Sequence, residues 1–434
     1  MSPPSKPPLT VRDLPTDLFR HILDHLGCDV HETLSACTLV CRDWLNVSRQ
    51  HLFAELHVLR GADESFQDLV DFLDAHPVHA ACVRTLQLEA RLFSFPFNVP
   101  LMPTIDLDVF ARISRALPGL QNVRMRQVRI AAPGGKPLPP LPNPPPRRRL
   151  DHMEYEKCYG EIAPTFEFLA HFQYDHLDFC PIFPDTNPAT IRAGPHALLA
   201  RSVCLIPVTP NPHVVVAAMR QVTPPETFMS FRWPTSQLSD PQVPVAALLQ
   251  DIGQNLVDVH LGPSERDAHL ALPHLPRLQT FRYSAGVSLL APPSEMHAQR
   301  MQFASFFRDF LPLLPADLQE LVLYVQWSDD EGVPHPRSHS HGPSHGAGAA
   351  RALVPGEATM PMWGADAPTM ERLKWLKWLT LCMPAVPEGD VGRATAEAAK
   401  CFPKAHAHAA FRVSVVVWEL ECREHDIYDY LSDC

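Results

Sequence analysis

The sequence predicts an α/β chain: a small N-terminal unit of three helices, followed by an irregular array of short parallel strands and helices. Three observations lead there. Up to about residue 58, apolar side chains recur at spacings of three and four, the helical period. From about residue 80 onward, a short pattern recurs in which an apolar residue is followed by two of any kind, an apolar residue, one of any kind, and another apolar residue. Between these pieces lie segments of helical periodicity, and strand-then-helix repetition implies a parallel sheet.

Composition sets the bounds. At 434 residues the chain has room for two or three domains of roughly 150 residues, or for one small domain and a long array. Hydrophobic content of 46% with 20% charged residues is globular in character. The 47 prolines are about twice the average share, so many chain reversals and short elements are expected. A net charge of −11 argues against a phosphate-tracking surface and against nucleic acid as the main partner. The 11 cysteines include no C-x-x-C pair and are odd in number, which indicates neither a disulfide framework nor a zinc ribbon. The opening MSPPSKPPLTVRDLP lacks an apolar signal core, and no window reaches the roughly 18 apolar residues of a membrane span. A reduced cytoplasmic or nuclear protein without a membrane partner is expected.

Residues 1–10 read as a disordered, proline-rich tail, and residues 11–58 as the helical unit. In LPTDLFRHILDHL, the residues Leu14, Leu18, Ile22 and Leu26 fall on one stripe, flanked by Phe19 and Leu23. Pro15 suits a first turn, where its missing N–H has no partner to lose, and Asp17 complements the positive helix start. Gly27 then supplies a C-cap without a Cβ. A second pattern runs through Leu34, Cys37, Val40, Cys41, Trp44, Leu45 and Ser48 and implies further short helices. Two such stripes carry more apolar surface than they can bury against each other, so something else, a partner or the core of a larger domain, must cover the rest.

These residues resemble an F-box. Leu14, Pro15, Asp17, Ile22, Leu23, Leu34, Val40, Cys41, Arg42, Trp44 and Phe53 follow the family order of a Leu-Pro opening, an acidic residue, an Ile-Leu pair, a Leu…Val-Cys-Arg-x-Trp segment and a closing aromatic. Asp17 replaces the commoner Glu, and the connection from Gly27 to Glu32 is slightly long. The resemblance implies docking onto a Skp-family adaptor, and through it onto a cullin, with Leu14, Pro15, Leu18, Ile22, Val40 and Trp44 forming or supporting the adaptor-binding surface. Physically this is a helix-in-groove mode with apolar anchors.

Residues 59–434 carry the recurring pattern, at Val83-Leu86-Leu88, Leu120-Val123-Met125, Leu150-Met153-Tyr155, Leu256-Val259-Leu261, Leu278-Phe281-Tyr283, Leu318-Leu321-Leu323 and Leu376-Leu379-Leu381. Weaker instances are Tyr174-Leu177-Phe179, Ala200-Val203-Leu205 and the stretch around Met229-Phe231. Helices are expected over Ser65 to Ala75, Asp106 to Leu117, Val243 to Ile252 and Glu295 to Leu311. The spacings lie near the roughly 20 to 29 residues of a leucine-rich repeat, with insertions at 133–149 and 328–368. The region therefore resembles an irregular leucine-rich-repeat solenoid. The family's asparagine ladder is missing, with only Cys158 at that position in an allowed type; an irregular α/β domain without true repeats is the competing reading. In such a solenoid, residues alternating with the buried ones face the concave side. They are Arg124, Arg126, Glu154, Glu156, His176, Asp178, Arg232, His260, Arg282, Tyr324 and Trp378, and they form the expected target-reading surface.

Other motifs carry less. PGGKPLPPLPNPPPRRR has P-x-x-P spacings but reads as a surface loop. The His-rich insertion with His339, His341 and His345 reads as a flexible segment, and its G-x-S-x-G match lacks the strand and helix a nucleophile elbow requires. No phosphate-cradling or zinc-protease motif occurs. The sequence thus predicts a non-enzymatic protein with no catalytic residue, cofactor or metal: a substrate-recognition adaptor of a Skp-cullin-F-box ubiquitin ligase. A repeat scaffold unconnected with such a ligase is the alternative.

Overall fold

The structure, a computed structural model, describes residues 14–25, 31–61, 64–91, 102–131, 147–183, 198–206, 212–224, 227–233, 245–262, 272, 274–288, 313–315, 317–326, 378–384 and 413–418. The expected tail, the helix over Glu295 to Leu311 and the His-rich insertion lie outside these residues. By compactness the chain divides into two units, Met1–Pro224 and Pro225–Cys434.

The first unit opens with three helices: α1 (Thr16–His25), α2 (His31–Cys37) and α3 (Arg42–Leu52). Pro15 stands just before α1, and its carbonyl accepts the first helical bond from the Phe19 N–H at 3.0 Å. Asp17 in the first turn and His25 in the last both match the helix dipole. Phe19, Leu23, Leu34 and Val47 form the core, with Leu14, Cys37, Trp44 and Leu52 packed against it. The Phe19 and Trp44 rings stack at 3.8 Å with a 14° interplanar angle. This aromatic pair decides which side of α1 turns inward. The face carrying Phe19 and Leu23 is buried, while Leu18 and Ile22, one position earlier in each turn, remain exposed.

Parallel strands follow. β1 (Glu55–Arg60), β2 (Thr85–Ala90), β4 (Asn122–Arg126), β6 (Arg148–Gly160), β7 (Phe172–Ile182) and β8 (Leu199–Leu205) lie side by side in that order. The short strands β3 (Thr104–Asp106) and β5 (Arg129–Ala131) pair with each other, and β5 with β6. Their register places the apolar pattern in straight rows. Leu56, Leu86, Val123, Met153, Leu177 and Val203 are successive lateral neighbours, and so are Val58, Leu88, Met125, Tyr155, Phe179 and Leu205. Side chains of one row bury the next, which is why the spacing survives insertions between strands.

Helices α4 (Gln67–Ala75), α5 (Pro77–Ala80), α6 (Leu107–Ala116), α7 (Ile162–Ala170) and α8 (Pro212–Val222) supply further buried residues. The Asp106 side chain caps α6 by accepting from the Val109 N–H at 2.7 Å. Phe110 of α6 meets Phe168 of α7 edge to face at 4.5 Å. Gln127, just past β4, and Lys157, at a register irregularity within β6, adopt positive φ of 52° and 50° one residue after the paired Arg126 and Glu156. The buried Cys158 Sγ donates to the Met125 carbonyl on β4 at 3.2 Å.

The second unit holds β9 (Ser230–Trp233), α9 (Val245–Ile252), a 3-10 turn at Gly253–Asn255, β10 (Asp258–Leu261), β11 (Thr280–Ser288), β12 (Glu320–Gln326), β13 (Trp378–Pro384) and β14 (Val413–Trp418). Its strands pair in parallel in chain order. Phe231, Val259, Phe281 and Leu321 occupy one row, and those four side chains are buried. No helix among the described residues is long and apolar enough to cross a membrane.

Candidate functional site

Two surfaces stand out, the outer side of the helical unit and the polar face of the strands. On the helical unit, Leu18 and Ile22 are 53% and 48% exposed, although both are large and apolar. Being four apart on α1, they sit one above the other. Val40 and its neighbour Leu39, in the turn between α2 and α3, are also exposed, Leu39 to 86%. Pro15 is exposed as well. Leu14 and Trp44 differ, being half-buried and packed against the internal core. The six residues predicted for adaptor docking therefore divide into an outward set and a supporting set. Leu39, the most exposed of these apolar side chains, was not singled out from the sequence; its position just before Val40 in a turn was the available signal.

The polar face of the first unit is built by the same alternation that buries the leucine rows. In register, the strands present Glu55, Thr85, Asn122, His152, His176 and Ser202 in one row. A second row runs His57, Gln87, Arg124, Glu154 and Asp178, and a third includes Glu89, Arg126 and Glu156. Opposite charges meet across neighbouring strands. Arg124 Nε lies 3.2 Å from Glu154 Oε2, and Arg126 Nε donates to Glu156. Glu89, nearly buried, has His57 Nε2 at 2.9 Å and Arg126 Nη1 at 3.8 Å. The predicted residues Arg124, Arg126, Glu154, Glu156, His176 and Asp178 thus come together on one face as a laced network.

One group in that network differs in kind. His152 Nε2 and His176 Nε2 approach the two oxygens of the Asp178 carboxylate at 2.9 and 3.0 Å. Burial works to raise the Asp178 pKa, but the bonds from His152 and His176 outweigh it and hold this carboxyl well below the usual range. His152 was missed by the sequence reading. It sits two residues before Glu154 and so shares its face, and that alternation was the signal.

In the second unit, Arg232, His260 and Arg282 are lateral neighbours on β9, β10 and β11. Burial, reinforced by Arg232 and Arg282, drives the His260 pKa down to about 3, so its imidazole is neutral at physiological pH. Asp258 Oδ2 accepts from Ser230 Oγ at 3.3 Å and lies 3.4 Å from Arg282 Nη1. Tyr324 and Trp378 stand on β12 and β13, but their side chains lie outside those described.

Chemically, this face offers hydrogen bonds and charge. The buried thiols of Cys158 and Cys180 are pushed up by desolvation, the latter to about 12, so both remain protonated. No protein-family model matches the sequence, and no curated protein is significantly similar to it.

Proposed function

We propose that this chain is a substrate-recognition adaptor of a Skp-cullin-F-box ubiquitin ligase, its three helices acting as the F-box and its strand array as an irregular leucine-rich-repeat solenoid. The carrying observation is the exposure of Leu18 and Ile22 on a helix whose adjoining face, with Phe19 and Leu23, is buried in the core. Small units do not normally leave adjacent large apolar side chains on their outer surface without a partner. Leu39 and Val40 extend the apolar character of the same unit.

In this reading the helices anchor the chain on the Skp adaptor, and the polar face of the array holds a target protein. The contribution to ubiquitin transfer is proximity, which turns a bimolecular encounter into one at high effective concentration. No residue of this chain takes part in bond making. Target specificity resides in arrays such as Arg124–Glu154 and Arg126–Glu156, where electrostatic complementarity fixes register and excludes wrong partners.

Co-expression of the full chain with a Skp-family adaptor tests this. The two are expected to co-purify, and Leu18→Ser with Ile22→Ser is expected to weaken the association about thirtyfold while the chain stays folded. A folded, unaltered chain that leaves the adaptor behind would instead support the scaffold alternative.

A further inference from the structure

We propose that His152, His176 and Asp178 form a binding site for a divalent transition-metal ion of the zinc class on the polar face of β6 and β7. Three features of the geometry carry this. First, convergence: both imidazoles direct Nε2 at one carboxylate, and one donor atom from each of the three residues lies within 4.8 Å of the other two. Second, spacing: for tetrahedral metal bonds of about 2.0 to 2.2 Å, two donors stand about 3.4 Å apart. His152 Nε2 lies 2.9 Å from one Asp178 oxygen and His176 Nε2 3.0 Å from the other, so opening each pair by about half an ångström reaches that separation. Third, donor chemistry: two imidazoles and one carboxylate, leaving further coordination positions open, is a set suited to zinc or ferrous iron and unsuited to calcium, which takes oxygen donors throughout.

The scaffold holds these donors in place. His152 and His176 are direct lateral partners in the β6–β7 ladder, and His176 and Asp178, two apart on one strand, share a face. Between and beneath them, Met153, Tyr155, Leu177 and Phe179 are fully buried and fix both strands. Next to Asp178 in the register stands Glu154, whose carboxylate has Arg124 at 3.2 Å. Each of the three donors is half-buried, accessible enough for an ion to enter and shielded enough to strengthen its attraction. Without metal, Asp178 accepts hydrogen bonds from both rings; with metal, each ring carries its proton on Nδ1 instead, and the freed Nε2 lone pair turns to the ion. Protons compete with the ion for these lone pairs, so binding weakens as pH falls.

The test uses the full-length protein, stripped with a chelator and dialysed against zinc. The chain has 23 histidines and 11 cysteines, all of them side-chain types that ligate zinc, so the readout is the difference between proteins. The variants His152→Ala, His176→Ala and Asp178→Asn are each expected to hold about one zinc fewer than the unaltered chain. Asp178→Asn keeps size and shape, which guards against loss of fold. A second measurement needs no variant: zinc should shield His152 and His176 from carbethoxylation by diethyl pyrocarbonate, read by peptide mass, whereas calcium should not. Equal zinc content in all four proteins overturns the proposal. So does labelling of the two histidines that is the same with and without zinc, or protection by calcium as strong as by zinc.

Discussion

Replacing Phe19 by Ala should unfold the helical unit while leaving the parallel strands intact. Phe19 is 2% exposed, stacks on Trp44 at 3.8 Å, and shares the core with Leu23, Leu34 and Val47. Truncating a buried Phe to Ala costs about 3 to 5 kcal/mol, and the stacked pair is included in that figure. A helical unit of this size rarely holds more than about 3 to 5 kcal/mol of its own stability. The substitution therefore removes most or all of it. At about 1.4 kcal/mol per factor of ten, amide protection in α1 and α3 should fall by at least about a hundredfold. Hydrogen exchange followed by mass spectrometry reads this directly, with peptides from β6 and β7 as the internal reference. Leu18→Ser, at an exposed position on the same helix, should change protection by no more than about 0.5 kcal/mol. Protection in α1 and α3 that is unchanged in Phe19→Ala, or lost equally in Leu18→Ser, would refute the assignment of inward and outward faces.

Three further outcomes follow from the packing and the electrostatics. The Tyr174 hydroxyl donates to the Leu169 carbonyl at 2.8 Å in the core, so Tyr174→Phe should lower the unfolding free energy by about 1 to 3 kcal/mol in a urea titration. A Cβ at Gly160 would come within 2.8 Å of Thr165 Oγ1 and 3.3 Å of the Ile130 carbonyl; Gly160→Ala should cost about 1 to 3 kcal/mol, and adding Thr165→Ala should recover part of it in a double-mutant cycle. His260 has a folded pKa depressed to about 3 against an ordinary value of 6.5. Its stabilising contribution is complete above the unfolded pKa and is lost as pH falls from about 6.5 toward 3, at up to about 1.4 kcal/mol per pH unit. The urea midpoint should therefore drop more between pH 7.5 and 5.0 in the unaltered protein than in His260→Phe.

Much of the fold was legible because its governing pattern is local. The last two apolar residues of each triplet from Val83-Leu86-Leu88 to Leu278-Phe281-Tyr283 fall on strands, and α4, α6 and α9 lie within the segments marked by helical periodicity. Elements whose local pattern is ambiguous escaped. Phe53-Leu56-Val58 satisfies the strand pattern, yet Phe53 reads equally well as the closing aromatic of the helical unit, so β1 went unrecognised. The segment IAPTFEFLA of α7 is buried on nearly every side and shows no amphipathic stripe. The Val-rich start of α8 reads as a strand until its packing is known. The site followed the same rule. Alternation assigned Glu154, His176 and Asp178 to one face, whereas the convergence of His152 upon Asp178 depends on the lateral register of β6 and β7, which no local pattern encodes.

The most direct test of adaptor function is the affinity of the full chain for a purified Skp-family adaptor, measured for the unaltered protein and for Leu18→Ser with Ile22→Ser. Full burial of such a side chain is worth roughly 1.5 to 3 kcal/mol. Leu18 and Ile22 are about half exposed, so covering them adds about 1 kcal/mol each, or about 2 kcal/mol together. The double variant should bind about thirtyfold more weakly, with unchanged hydrogen exchange in α1 and α3. An unaltered chain with no measurable affinity for the adaptor, or a double variant that binds as tightly as the unaltered chain, would contradict the account.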